Sequence, residues 1–377
     1  MFRSSIKLFR LFGIEVRLDY SWFIIFALIA YYFGFSYFPS VLSGVGGGYL
    51  TIITLVTTIL FFFSVLFHEM SHSVVAKKMG IPVEKISLFI FGGMAEIERE
   101  PDSPQIEFVM AIAGPASSFF LAILFGTIWA FTRNIVMIGE PSKYLALVNV
   151  ALGVFNLLPG YPLDGGRVLR SIIWKFSGSL QQATFVASNS GRVIGFLIIA
   201  WGFFFFFTGN FLNGIWLVFI GWFLQSAATS GYRQLVFESS IKGIKVKDIM
   251  NENVVSVTKD VTLEDLVNNY FMKYRYGRFP VIENEESERL IGVISVHDIK
   301  EVPREDWVTT TAGQVVKPVS DLEIVGMNVE VSEAIKKMTK NDLGHLVIMS
   351  GDRIAGLITK SDVMRFIKLR SELLTKV

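Results

Sequence analysis

Long apolar runs with short polar breaks fill the first 230 residues; beyond about residue 241 the runs shorten and charges become frequent. A membrane-spanning helix takes roughly 20 predominantly apolar residues. Six stretches reach or approach that length: 20–37, 50–76, 108–131, 144–158, 183–207 and 211–229. The fourth is short and runs into Pro159-Gly160-Tyr161-Pro162, so it is expected to finish inside the membrane. Ahead of the first run, Ile14-Glu15-Val16-Arg17-Leu18-Asp19 alternates apolar and polar positions, a strand pattern. After the second, Gly80 and Pro82 stop the helix. Residues 86–91, Gly92-Gly93 and residues 94–98 then read as a hairpin with a Gly-Gly turn. That hairpin is either an ordinary structural element or an edge that takes up a substrate strand. The pattern predicts a polytopic α-helical membrane protein of about six transmembrane helices, with a small membrane-associated β-sheet.

Composition agrees. Hydrophobic residues make up 52% of the chain and the mean hydropathy is +0.50, too apolar for a wholly soluble chain of this length. The net charge of +2 gives no reason to expect nucleic acid as a partner. With no cysteine, disulfides and thiolate metal sites are excluded. Charges at Arg3, Lys7, Arg10, Glu15, Arg17 and Asp19 interrupt the first twenty residues, so no signal peptide is expected. Positive residues cluster before the first run (Arg3, Lys7, Arg10, Arg17), after the second (Lys77, Lys78, Lys85, Arg99) and after the fourth (Arg167, Arg170, Lys175). The opposite loops hold only Arg133 and Lys143, which predicts a multi-pass protein of the cell membrane with both termini cytoplasmic. Arg192 falls within the fifth run and must either snorkel to the surface or pair inside the bundle.

The chemistry concentrates at the end of the second run. Only four histidines exist, and two of them stand in His68-Glu69-Met70-Ser71-His72. Histidines four apart share one face of a helix, about one turn apart, and both can bind one zinc ion. Glu69 beside them can serve as general base. A catalytic zinc usually takes three protein ligands, and no third histidine is available in this half. The candidate is Asp164, in Leu163-Asp164-Gly165-Gly166-Arg167 after the two prolines that close the fourth run. Gly165 and Gly166 would let that backbone approach the metal. Asp164 can also be read as the N-cap of a following helix over residues 165–176. Asn156 is a candidate to bond a substrate carbonyl, or to satisfy backbone at its helix end. Ala113-Gly114-Pro115-Ala116-Ser117-Ser118 reads as close helix packing rather than chemistry.

Taken in order, the strand at 14–19, His68–His72, Gly92-Gly93, Ala113-Gly114-Pro115 and Asn156 through Pro162-Leu163-Asp164-Gly165 resemble a site-2 protease, the zinc-dependent intramembrane metalloprotease family, over residues 5–230. The resemblance implies one Zn2+ per subunit held by His68, His72 and Asp164, with Glu69 activating water. It implies cleavage of a transmembrane segment, commonly of a membrane-tethered regulator, so that the partners are a membrane-spanning protein and lipid.

The second half repeats. Gly292-Val293-Ile294-Ser295-Val296-His297-Asp298-Ile299 returns sixty-four residues later as Gly356-Leu357-Ile358-Thr359-Lys360-Ser361-Asp362-Val363. Arg278–Ile282 likewise matches His345–Ile348. The pair, with Lys247-Asp248-Ile249-Met250 near its start, resembles tandem CBS domains over residues 243–371, an α/β fold with halves 243–303 and 310–371. A protease domain over residues 1–235 precedes it. The resemblance implies adenine-nucleotide binding (AMP, ADP or ATP) by Ser295, Asp298, Thr359 and Asp362; the bland reading of the same residues is helix capping. It also implies a homodimer formed through these domains, and gating of the protease by nucleotide. His297 and His345 lack metal-ligand spacing. Two rivals remain: a non-proteolytic membrane nucleotide sensor, which leaves His68, Glu69, His72 and Asp164 without a purpose, and a zinc transporter. A transporter needs polar residues across the whole bilayer, and the outer part of the second run offers only Thr and Ser.

Overall fold

The computed structural model describes residues 5–374 except 91, 98, 288, 322, 341–343 and 352. Arg3, Phe91 and Glu98 therefore lie outside the described residues. The chain divides into two compact units, Met1–Leu235 and Val236–Val377.

The first unit opens with a hairpin of β1 (Ser5–Leu11) and β2 (Ile14–Asp19). The alternation in β2 is reproduced as burial: Ile14, Val16 and Leu18 face inward. Asp19 caps helix α1 (Tyr20–Val41) by accepting from the Ser21 N–H at 2.9 Å. Helix α2 (Gly47–Lys78) ends on Lys77 and Lys78, cations suited to a helix C-terminus, and Gly80 follows at φ +79°. Strands β3 (Val83–Phe89) and β4 (Gly92–Ile97) complete a sheet of order β1-β2-β3-β4, in which only β2 and β3 run parallel. Gly92 and Gly93 lie inside β4, opposite Phe89 and Leu88, rather than in the turn. The sheet buries Ile14, Val16 and Ile86 against Met70 and Ala76 of α2 and Met110 of the next helix.

Helices α3 (Pro104–Thr132), α4 (Val136–Asn156), α5 (Asp164–Ser177), α6 (Leu180–Phe207) and α7 (Phe211–Ile241) follow. Five helices, α1, α2, α3, α6 and α7, are long and apolar enough to cross a membrane. The fourth expected span lies in α4, which starts earlier than its apolar run and carries Glu140, Pro141 and Lys143 in its first half. Large side chains such as Phe196, Leu197 and Trp201 on α6 and Leu212 on α7 are exposed, as a lipid-facing surface requires. Arg192, on α6, is exposed and bonds Asn189 at 3.2 Å.

The second unit repeats one motif. In the first half β5 (Val257–Thr258) pairs parallel with β6 (Arg278–Ile282), which pairs antiparallel with β7 (Leu290–Ser295); β8 (Lys317–Pro318) adds to β7. In the second, β9 (Ile324–Gly326), β10 (His345–Ser350) and β11 (Arg353–Thr359) repeat the parallel and antiparallel pairings. Helices α8 (Val296–Lys300) and α9 (Lys360–Leu374) leave β7 and β11 respectively. The halves exchange flanking segments. Val246 N–H bonds Val329 O at 2.9 Å, Asn251 pairs with Leu357, and Ile244 and Val246 enter the second half's core. Lys247–Met250 thus packs on the second half rather than the first. Conversely, Ala312 enters the first half's core and Gly313 N–H bonds Lys259 O.

Candidate metal centre and the C-terminal turns

Four elements meet around the ends of His68 and His72. Both histidines face inward from α2, 4% and 7% exposed, and Asp164, 9% exposed, comes to them from the first residue of α5. His68 Nε2 and His72 Nε2 lie 3.3 Å apart, and Asp164 Oδ2 sits 3.1 and 3.0 Å from them. Asp164 is not the N-cap of its helix. Leu163 occupies that position without a side-chain bond, and the Asp164 carboxylate turns to the imidazoles.

The far sides of the rings are also held. His72 Nδ1 donates to the Met110 carbonyl at 2.6 Å, and His68 Nδ1 meets Ser118 Oγ at 2.9 Å. Since a carbonyl only accepts, the His72 proton resides on Nδ1 and a neutral ring presents a bare lone pair at Nε2. In that form the Nε2 lone pair and the carboxylate oxygen 3.0 Å away both point at one spot. Two acceptors at that distance repel unless a cation joins them. Ligand atoms about 2.0–2.1 Å from a tetrahedral ion are about 3.3–3.4 Å apart. The His68–His72 separation of 3.3 Å matches that spacing, and the two to Asp164, 3.1 and 3.0 Å, are somewhat shorter. A Cβ built on Gly114 would fall directly against both Nε2 atoms, so glycine is what leaves the space between the ligands open. Two imidazoles and a carboxylate form a fitting donor set for a borderline divalent ion.

Helix α3 is the scaffold of this arrangement. Met110, Gly114 and Ser118 recur at helical spacing on the face that backs the histidines. Pro115 removes the bond to the carbonyl four residues earlier and loosens the helix there. One turn before Met110, fully buried Glu107 accepts from Arg170 Nε of α5 at 2.6 Å, and Arg170 also reaches Glu100 at 3.2 Å. This ion pair fastens α5, and so Asp164, to α3. Arg170, counted above among orienting surface charges, is only 4% exposed.

Glu69 lies beside the cluster, and a Cβ on Gly93 of β4 would strike its side chain. The absence of a side chain at Gly93 is what lets β4 run along Glu69. Among the described residues β4 pairs with β3 alone, which leaves its other edge without a strand partner. Gly165 and Gly166 have a different role from the one expected. Their missing side chains make room for the Leu157 carbonyl and the Gly160–Tyr161 backbone, folding the 157–163 turn rather than approaching the cluster. Asn156 donates its amide to Leu152 O at 3.0 Å within its own helix.

In the second unit, Ser295 N–H and Oγ both bond Asp298 Oδ2, at 2.8 and 2.5 Å, while Asp298 N–H returns to Ser295 Oγ. Thr359 and Asp362 make the same three bonds. Both pairs are capping boxes. They differ in surroundings: Asp298 is 5% exposed and paired with Lys317 at 2.9 Å, and its carboxyl is held below the usual range, burial being outweighed by Ser295 and Lys317. Asp362 is only half-buried.

Apolar helices of spanning length around a two-histidine, one-carboxylate cluster define a membrane metallopeptidase. Comparison with known proteins agrees. Peptidase family M50 matches residues 56–140 and 133–201, and the CBS domain matches residues 246–305 and 312–369. The zinc metalloprotease MJ0392 of Methanocaldococcus jannaschii is 32% identical over 373 residues, 98% of each chain. Stage IV sporulation protein FB of Bacillus subtilis is 24% identical over 231 residues, 60% of this chain and 76% of that one. The solved site-2 protease from Methanocaldococcus jannaschii is 30% identical, covers 60% of this chain and 94% of its own, and superposes with a TM-score of 0.42. The chain belongs to peptidase family M50 and carries tandem CBS domains.

Proposed function

We propose that the protein is a zinc endopeptidase that cuts transmembrane segments of membrane-tethered proteins. The reading rests chiefly on the convergence of His68 Nε2, His72 Nε2 and Asp164 Oδ2 on one point. These three residues hold zinc, the metal named for the relatives. A zinc ion there supplies Lewis acidity, making water acidic and the scissile carbonyl electrophilic. Glu69 takes a proton from the attacking water as its oxygen bonds to the carbonyl carbon. As the C–N bond breaks, Glu69 returns the proton to the departing amine. Ser118 and the Met110 carbonyl fix the imidazoles from behind, and the Glu107–Arg170 pair fixes the helix that bears Asp164.

A helical substrate must unwind first, because its peptide groups are hydrogen-bonded to one another. The open edge of β4 next to Glu69 receives the unwound stretch as an added strand, with backbone bonds giving position and little sequence demand. Asn156 stays a candidate to bond a substrate carbonyl, donating its side-chain N–H to it in place of Leu152 O. The distribution of positive residues supports cytoplasmic termini, with the protease in residues 1–235 and the regulatory pair in 243–371. The CBS pair binds an adenine nucleotide through Ser295, Asp298, Thr359 and Asp362, dimerises, and gates cleavage. The supporting features are the family match and the two hydroxyl-to-carboxylate turns at helix starts, where free N–H groups suit phosphate. Gating requires nucleotide to favour one state of the protease over another.

Reconstitution in liposomes with candidate single-span substrates tests the reading. Cleavage is expected, abolished by chelation and restored by zinc; cleavage that survives complete metal removal would refute it. Titrating AMP and ATP during cleavage tests gating, which an unchanged rate despite measured binding rules out.

A further inference from the structure

The two hydroxyl-to-carboxylate turns of the second unit are built alike but are not equally open. In each, one carboxylate oxygen is taken by the turn itself. Asp298 Oδ2 accepts from the N–H and Oγ–H of Ser295, and Asp362 Oδ2 from the N–H and Oγ1–H of Thr359. The other oxygen decides what a turn can bind. Asp298 Oδ1 pairs with Lys317 Nζ at 2.9 Å. Among the described residues Asp362 makes no ion pair, and its Oδ1 accepts no hydrogen bond.

The difference comes from one position of the repeat. Val293 on β7 faces Lys317; Leu357, its counterpart on β11, faces Asn251. A Cβ on Gly292 would strike the Lys317 carbonyl, and one on Gly356 would come within 2.9 Å of the Asn251 carbonyl, so both segments lie against their strands in the same way. Lys317 and Asn251 are thus matching residues. The lysine reaches Asp298, whereas the shorter asparagine turns its Oδ1 to the Asn253 N–H at 3.0 Å. A ligand can open the ion pair, because the Asp298 side chain is 6% exposed but that of Lys317 is 59% exposed.

Ribose hydroxyls donate, so a turn takes up a nucleoside only through an acceptor that is free. Resting on the nucleotide reading above, we propose that the two turns fill in a fixed order. An adenine nucleotide binds first at Thr359 and Asp362, and at Ser295 and Asp298 only after Lys317 has released the carboxylate. Lys317 is the residue that makes the sites unequal, and the chain answers to two ranges of nucleotide concentration rather than one.

Calorimetric titration of the full-length protein in detergent with AMP tests this. Two sites per chain are expected, one weaker by about tenfold, the size of effect that displacing a charge-assisted bond supplies. Asp362→Ala should remove the tighter site and Asp298→Ala the weaker. Both matching residues are exposed, so exchanging them disturbs no core. Lys317→Asn should raise the weaker affinity about tenfold, and Asn251→Lys should lower the tighter by about as much. Two equal sites in the unaltered chain, loss of the tighter site in Asp298→Ala, or a Lys317→Asn chain that binds no better overturns the proposal and leaves the nucleotide reading standing. Weaker binding in Lys317→Asn overturns it too, since the lysine then holds the nucleotide instead of excluding it. No binding of AMP or ATP by any of these chains refutes the nucleotide reading itself, and this proposal with it.

Discussion

Of the aspartates in the first turns of helices, Asp298 and Asp362 contrast with Asp164. Asp298 and Asp362 turn back on their own helices, each closing a capping box with the hydroxyl residue three positions earlier. Asp164 turns away from its helix and meets His68 and His72. The cause is position in the helical frame. Asp298 and Asp362 stand at the third helical residue, within reach of the cap; Asp164 is the first helical residue, behind an apolar Leu163 that offers nothing to bond. A carboxylate that its own helix does not use is available to a distant partner.

The sharpest way to break this contrast is at the first carboxylate cluster. Glu69→Gln should lower cleavage by about 10²–10⁴-fold, the range general-base catalysis supplies, with bound metal unchanged. Cleavage assays paired with metal analysis check both halves of that statement. Asp164→Asn should release metal outright, whereas Asp298→Asn and Asp362→Asn should leave metal content alone. Breaking the Glu107–Arg170 pair with Arg170→Met leaves buried Glu107 with only Arg167, at 4.0 Å, and should cost about 3 kcal/mol, read by denaturation in detergent. Ser118→Ala removes the partner of His68 and should weaken metal binding about 10–100-fold, measured by competition with a chelator.

The local caps should show smaller effects. Asp362→Ala should cost about 1 kcal/mol of stability in the second unit, and Asp298→Ala somewhat more, because Lys317 also loses its partner. The smallest effect is a pH dependence in that unit. Burial, helped by the charge of Arg278, pushes His345 down to about 4 from its usual 6.5. The folded state thus prefers neutral His345. Its contribution is fully present above pH 6.5 and is lost as pH falls toward and through about 4. His345→Gln should flatten the unfolding midpoint between those values.

Much of the membrane unit was legible because helical geometry fixes it. Residues four apart on an apolar run must share a face, and Asp164 was the remaining acidic residue on a broken, glycine-rich turn. What could not be read is tertiary adjacency. Ser118 and Met110 serve the histidines from another helix, and Ala113–Ser118 read only as a packing motif because hydroxyls and small residues look alike in either role. Gly93 was assigned to a turn, whereas its value is the side chain it lacks next to Glu69. Val246–Met250 lies at the start of the first repeat yet packs on the second, since a repeat in sequence does not say which half an end segment completes.

Zinc X-ray absorption on the purified full-length protein tests the central claim most directly. The account predicts one zinc per chain, bound only by nitrogen and oxygen, with the imidazole scattering of two histidines and loss of the ion in Asp164→Asn. A zinc-free protein, or an Asp164→Asn variant that keeps the same zinc spectrum, would contradict it.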